Sequence, residues 1–392
     1  MRNRNDKWKT SKHGKGLFKK MISIGGVGVL LCMSAVACGQ TQEEPEEVEN
    51  LPVTYEAFEE AVREVSNEVE AEDGTKEELE LLFWYSDVSL APYYEAAAAD
   101  FHDEYGVKVR CEYKAATDYL DAINQAEIWR EGPDVFIASN DQVKKAYLAG
   151  LTTPNDLYSD EFWGEHFPEM AKRSVTTEGK QIGYPIYLDT CMMIYDTNFA
   201  VNFEDEENSK ILFRFDISDP YCDYLFLGDG AEVFGEYGED TDIFDVTNDS
   251  VIQNMTYYQS LREYFSLDVE TSTYDQIKGE LTAGTLVYGI VKTDVLTDIS
   301  NYGSSYALCP LPVLSDTLAT SDLSTTYAAC VNTYTEHSEY ANLFAAYLSC
   351  KDSENLYSLV KRVAVISDVL HADPNEAAIY EQYCQSTPTP KV

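Results

Sequence analysis

The sequence predicts an α/β protein of two domains or two lobes, and three observations lead there. The chain has 392 residues, too many for one small module and well suited to two packed units. Hydrophobic residues make up 44% of it, enough for a sizeable core and too many for wholesale disorder. Between residues 79 and 150, short apolar runs alternate with segments of helical periodicity. That β-α-β-α-β order implies a parallel sheet with right-handed crossovers.

The elements follow in chain order. Residues 1–37 carry eight basic residues (Arg2, Arg4, Lys7, Lys9, Lys12, Lys15, Lys19 and Lys20) against one acid, Asp6. The basic stretch runs into an apolar core over 21–33 and then into Ser34-Ala35-Val36-Ala37, the order of a secretory signal. The core is shorter than the ~20 residues needed to span a bilayer. Ala35-Val36-Ala37-Cys38 resembles a bacterial lipobox, which implies cleavage before Cys38 and lipid attachment to its thiol. Residues 38–54 read as an acidic, solvated linker, with Glu43, Glu44, Glu46, Glu47 and Glu49 around Pro45. In 55–76, Tyr55, Phe58, Val62, Val65 and Val69 recur at helical spacing, giving an extra helix that stops near Asp73-Gly74.

The folded body begins with a strand over 79–85. A helix carrying Leu90, Tyr93, Tyr94, Ala97, Phe101 and Tyr105 follows, and Gly106 ends it. Strands are expected over 107–113 and 134–138, and helices over 117–130 and 140–149. Thr177-Glu178-Gly179-Lys180 reads as a hairpin turn before a strand over 182–187. In parallel sheets of this kind, ligand lies beyond the carboxyl ends of the strands. Those ends supply Ser86-Asp87 and Ser139-Asn140-Asp141. After Cys38, seven cysteines are scattered without a CxxC pair, which suits small buried hydrophobes better than a disulfide framework.

Four ordered stretches carry a resemblance. They are Leu81-Leu82-Phe83-Trp84 with Tyr105-Gly106-Val107-Lys108-Val109, Gly132-Pro133-Asp134-Val135-Phe136, and Gly183-Tyr184-Pro185-Ile186 leading to Met193-Ile194-Tyr195-Asp196. The fourth is Leu311-Pro312 with 327–331 and the amphipathic helix 339–349. From residue 79 to about 370 the chain resembles the extracellular solute-binding proteins of ABC importers, of the maltodextrin-binding type. The resemblance implies two α/β lobes joined by hinge strands, with ligand between them. The first lobe would comprise 77–188 and 293–334, and the second 189–292 and 335–385. The chain would cross near 187–189, return near 291–294, and pack its C-terminal helices mainly on the second lobe.

The resemblance also implies ligand-contacting residues. Ser86 and Asp87 fall on a polar turn behind the first strand, Asp141 on an acidic contact, and Asp189 on a carboxylate at the crossover. Pro220-Tyr221 falls on a Pro-aromatic pair whose aromatic stacks on sugar, with Asp223 and Tyr224 close behind. Two further positions depart from the pattern: Ala138 stands where an aromatic is usual, and Lys292-Thr293-Asp294 where Gly-x-Trp is usual, so that Asp294 is a ligand-contacting candidate in place of the aromatic. Carboxylates accept hydrogen bonds from sugar hydroxyls, and aromatic faces cover the apolar C–H face of a pyranose. Tyr85 and Tyr187 are further candidates for that aromatic role.

Composition narrows the partners. The formal net charge of −41 argues against nucleic acid, which needs clustered Lys and Arg. The resemblance implies that the cargo is a small polar solute, a sugar or oligosaccharide, delivered by a lipid-anchored monomer at the extracytoplasmic face of the membrane to an ABC permease. Converging aspartates and aromatics would also suit a cation such as a polyamine. A secreted glycan-acting enzyme is the third reading. No HxxxH, G-x-S-x-G or Walker loop is present, so neither catalysis nor a metal or cofactor is expected.

Overall fold

The computed structural model describes residues 79–391, apart from 116, 156, 199–210, 229–230, 266–267, 271, 300–304, 314–319 and 321. The leader, Cys38, the acidic linker and the helix expected over 55–76 lie outside the described residues. The β-α-β-α-β run falls where periodicity put it: β1 (Glu80–Tyr85), α1 (Ala91–Tyr105), β2 (Lys108–Tyr113), α2 (Tyr119–Ile128), β3 (Val135–Ser139) and α3 (Asn140–Leu148). Leu81, Phe83 and Tyr85 are buried on one face of β1 and Trp84 on the other. Gly106 ends α1 at φ 72°, and its N–H bonds to His102 O at 2.8 Å. Only a residue that tolerates left-handed backbone fits there. β2 and β3 flank β1 in parallel.

Two short helices, α4 (Asp160–His166) and α5 (Glu169–Val175), lead to the hairpin β4 (Thr176–Thr177) and β5 (Lys180–Gln181). Glu178 and Gly179 turn it with φ of 50° and 75°. β6 (Tyr184–Asp189) then enters the first sheet, and one residue later β7 (Cys191–Asp196) enters a second. The crossover expected near 187–189 is this step through Thr190.

The second sheet takes β8 (Ile211–Arg214), followed by α6 (Pro220–Tyr224), the β9–β10 hairpin (Glu232–Val233 and Phe244–Asp245), α7 (Asp249–Phe265) and α8 (Tyr274–Thr282). It is completed by β11 (Leu286–Lys292) and β12 (Tyr306–Cys309), in the order β12-β7-β11-β8. β11 runs parallel to β8 and antiparallel to β7, while β12 pairs antiparallel with β7. The return is therefore later than expected. The chain stays in the second sheet through Cys309 and comes back only at β13 (Leu323–Val331), which lies between β3 and β6.

The C-terminal helices also differ from expectation. α9 (Ser338–Ser349) packs on β13, β6 and α1, and α10 (Asn355–Val360) packs on α1 and β14 (Val363–Ala364). Both thus belong to the first sheet. The reason is local: α9 follows β13 after a short link, and its Phe344 sits edge-on to Phe83 and Phe101, at 5.5 and 5.1 Å. α11 (Pro374–Gln385) reaches the second sheet, at β12, while touching α5 and β14 of the first. β15 (Thr387–Pro388) closes the chain beside β13, so the first sheet runs β14-β6-β13-β3-β1-β2. Of the seven described cysteines, all free, Cys191, Cys222, Cys309, Cys330 and Cys350 are buried. No helix among the described residues is long and apolar enough to cross a membrane.

Candidate functional site

The carboxyl ends of β1, β3 and β6 in the first sheet, and of β8 and β11 in the second, deliver almost every residue singled out above. Two groups form there. The first is centred on Asp189, the last residue of β6. Thr293, just past β11, donates its hydroxyl to Asp189 Oδ1 and so joins one sheet to the other. Burial lifts the Asp189 carboxyl above the usual range, and the charge of Arg362 and the hydroxyls of Thr293 and Tyr327 oppose that shift. Arg362, from the segment entering β14, also pairs with Asp87, Nη2 to Oδ2 at 3.0 Å. Asp87 caps the short 3-10 turn Val88–Leu90 by accepting from Ser89 N and Oγ at 2.9 and 2.7 Å. Burial opposes its ionisation, but Ser89 and Arg362 outweigh that and hold it below the ordinary value. Ser86 lies half-buried next to it. Two tyrosines floor this group: Tyr187 and Tyr327, cross-strand partners on β6 and β13, stack at 4.4 Å with ring planes 6° apart.

Asp294 stands next to Thr293 but is engaged within its own sheet. Its carboxylate accepts from Lys278 Nζ at 2.6 Å and from Tyr274 Oη at 2.5 Å.

The second group surrounds Tyr221. Asp219 caps α6 by accepting from Tyr221 N at 2.9 Å, and it pairs with Lys292, whose ammonium lies 5.5 Å from the Tyr221 ring centre. Burial opposes the Lys292 charge, yet Asp219 holds its pKa above the usual value. Burial raises Tyr221 as well; Thr389 and Thr325 hydroxyls offset this and the nearby charge of Asp141 adds to it. Tyr221, from the second sheet's side, therefore faces Asp141, Thr325 and Thr389 from the first. Asp141 itself is exposed in the first turn of α3.

Two expected residues are turned to other work. Asp223 accepts from Tyr258 Oη at 2.8 Å, tying α6 to α7, and Tyr224 is buried. Conversely, Arg362 and Tyr327 stand in the first group without having been singled out, and Lys292 stands in the second though it was noted only as a departure from the pattern. For Arg362 the available signal was a Lys361-Arg362 pair directly before the apolar run 363–366, unusual in so acidic a chain.

Chemically, the two groups offer carboxylate acceptors, one buried guanidinium and aromatic faces, a set suited to a small polar molecule with hydroxyls and C–H faces. Comparison with known proteins agrees in kind. A family model described as bacterial extracellular solute-binding protein matches residues 96–378. A maltooligosaccharide ABC transporter solute-binding lipoprotein of Streptococcus pneumoniae serotype 4 is 26% identical over 267 residues, covering 63% of this chain and 56% of that protein. The match thus spans little more than half of the pneumococcal relative's length. The maltodextrin-binding protein MdxE of Bacillus subtilis is 21% identical over 336 residues, 76% of this chain and 78% of that protein. Among solved structures, an extracellular solute-binding protein from Staphylococcus aureus in complex with maltose superposes with a TM-score of 0.70 at 18% identity, covering 82% of this chain and 88% of that one. MalX from Streptococcus pneumoniae, in complex with maltopentaose, gives 0.66 at 21% identity, covering 79% and 89%. The fold is thus the two-lobed one of the maltose-binding proteins.

Proposed function

The chain belongs to the bacterial extracellular solute-binding protein family, and on that premise we propose that it is the substrate-binding lipoprotein of an ABC importer. It captures a carbohydrate, a sugar or oligosaccharide, between its two lobes and hands it to the transmembrane subunits of a permease. Cys38 carries the lipid that holds it at the extracytoplasmic face. It is a binder, without chemistry of its own. The observation that carries this reading is the meeting of strand ends from both sheets around Asp189, with the Thr293 hydroxyl bonded across. A ligand seated there touches both lobes, and it favours their closure to the extent that it binds the closed form better than the open one.

Asp189 supplies the central acceptor and Tyr221 the stacking face, with Ser86, Asp87, Asp141 and Asp294 at the rim; Asp223 and Tyr224 position the Tyr221 turn. Arg362 offsets the charge of Asp87 beside Asp189, which weakens the site's pull on a polyamine, so a neutral cargo is favoured over a cationic one. The test is a calorimetric titration of the purified full-length chain with maltotriose, maltopentaose and spermidine. A glycan should bind saturably at roughly micromolar Kd, about −8 kcal/mol. Asp189→Ala and Tyr221→Ala should each weaken it about tenfold or more. Unchanged affinity in both variants would refute the assignment of the site, binding of spermidine alone would refute the cargo, and turnover of the glycan would refute the binder.

A further inference from the structure

Arg362 is 9% exposed. Of its three guanidinium nitrogens, Nη2 donates to Asp87. The other two, Nε and Nη1, are shut off from solvent with no hydrogen-bond partner among the described residues. A buried N–H of a charged group without an acceptor is unfavourable, because it has given up water and gained nothing. Arginine has no escape through deprotonation, since guanidinium keeps its proton in proteins. Two idle donors on one buried arginine mark a place for an acceptor that the protein itself does not supply.

The charge balance around Arg362 selects the acceptor. Asp87 pairs with it and Asp189 lies within its field. The neighbouring lysines are already matched, Lys278 by Asp294 and Lys292 by Asp219. No surplus positive charge is left to receive a carboxylate or phosphate, and a cation would meet Arg362 itself. A hydroxyl group fits both neighbours, because it accepts from a guanidinium and donates to a carboxylate. Two hydroxyls on adjacent carbons do both at once.

Resting on the carbohydrate reading above, we infer that Arg362 is a cargo-contacting residue that, together with Asp189, brackets a vicinal diol of a neutral sugar. One hydroxyl of the diol accepts from an idle N–H of Arg362, and its neighbour donates to Asp189. Asp87 and Asp189, which offset the charge of Arg362, set the preference for uncharged sugars over uronates at this position.

Titration calorimetry on the full-length chain with maltotriose as probe tests this. Arg362→Met removes the donors, and Arg362→Lys keeps the charge beside Asp87 but offers a single point donor. Maltotriose affinity should fall about tenfold or more in the Met variant and by a smaller factor in the Lys variant. Among monodeoxy maltotrioses, one should bind the wild type about tenfold more weakly than maltotriose yet bind Arg362→Met no worse than maltotriose does. Wild-type affinity for an oligogalacturonate should be lower than for maltotriose. Unchanged maltotriose affinity in both variants overturns the role of Arg362 while leaving the carbohydrate reading intact. A uniform loss across all deoxy analogues in both variants overturns it in favour of a purely structural arginine. Tighter binding of the oligogalacturonate overturns the neutral diol, and no saturable glycan binding by the wild type overturns both readings.

Discussion

Replacing Asp322 with Asn should remove much of the protein's loss of stability between acid and neutral pH. Asp322 is 4% exposed, directly before β13, where the chain re-enters the first sheet. Its Oδ2 accepts from the Thr190 hydroxyl, at the step between β6 and β7, and from Gln382 Nε2 at 3.3 Å. Burial outweighs these bonds and those from the backbone of Cys191 and Leu323, and it pushes the carboxyl from its ordinary 3.8 up to about 7. Between those values the folded protein keeps a proton that the unfolded chain has released. The stabilisation is therefore complete below about pH 4, declines as pH rises, and is gone above about pH 7. Some three pH units at about 1.36 kcal/mol each amount to roughly 4 kcal/mol. Asn retains an acceptor for Thr190 and has no proton to lose. The unfolding free energy of Asp322→Asn minus that of the wild type should then climb by about 4 kcal/mol from pH 4 to pH 8, whatever the constant offset between them. Asp352, also pushed up to about 7 by burial, is common to both proteins and cancels in the difference. Urea titrations at several pH values measure it. A flat difference across that window, or one that falls with pH, would refute the reasoning.

Three further outcomes are expected. Phe344→Ala deletes a fully buried ring that joins α9 to Phe83 and Phe101, and should cost about 3–5 kcal/mol in a urea titration. Gly183→Ala places a Cβ 3.0 Å from Ala329 O and 3.1 Å from Cys330 Sγ, at a φ of +81°. It should destabilise the first sheet by about 1–3 kcal/mol, read as a lowered denaturation midpoint. Thr293→Val removes the hydroxyl that bonds Asp189 across the sheets, so the sugar-free protein should show a larger radius of gyration by X-ray scattering and weaker glycan binding, with little change in melting temperature.

Much of the first sheet was legible because its signals are local. Apolar runs such as Leu81–Tyr85 make strands, and Gly106 and Glu178-Gly179 stop or turn the chain wherever left-handed backbone is required. Asp189 was singled out because the resemblance implies a ligand-contacting carboxylate at the crossover, and the structure places it at the end of β6. The return crossing was misread because Lys292-Thr293-Asp294 looks like an exit from the second sheet, whereas β12 is decided by pairing with β7, over a hundred residues earlier in the chain. Arg362 was missed for the same kind of reason. Its burial depends on β14 lying against β6, with Val363 opposite Leu188, a contact that no window of sequence around residue 362 contains. Asp223 shows the converse failure: a motif position placed it at the cleft, and a tyrosine 35 positions away took up its carboxylate.

The lateness of β13 has a consequence for how the chain becomes a protein at all. β3 and β6 are made early, but the strand that lies between them is made only after residue 322. Until then a growing chain holds two hydrophobic strand edges with no permanent neighbour, templates for mispairing. Pairings this distant in sequence also form slowly. A polypeptide of this design stays unfinished through most of its synthesis, and a binding partner that recognises extended, apolar strands has a long interval in which to hold it.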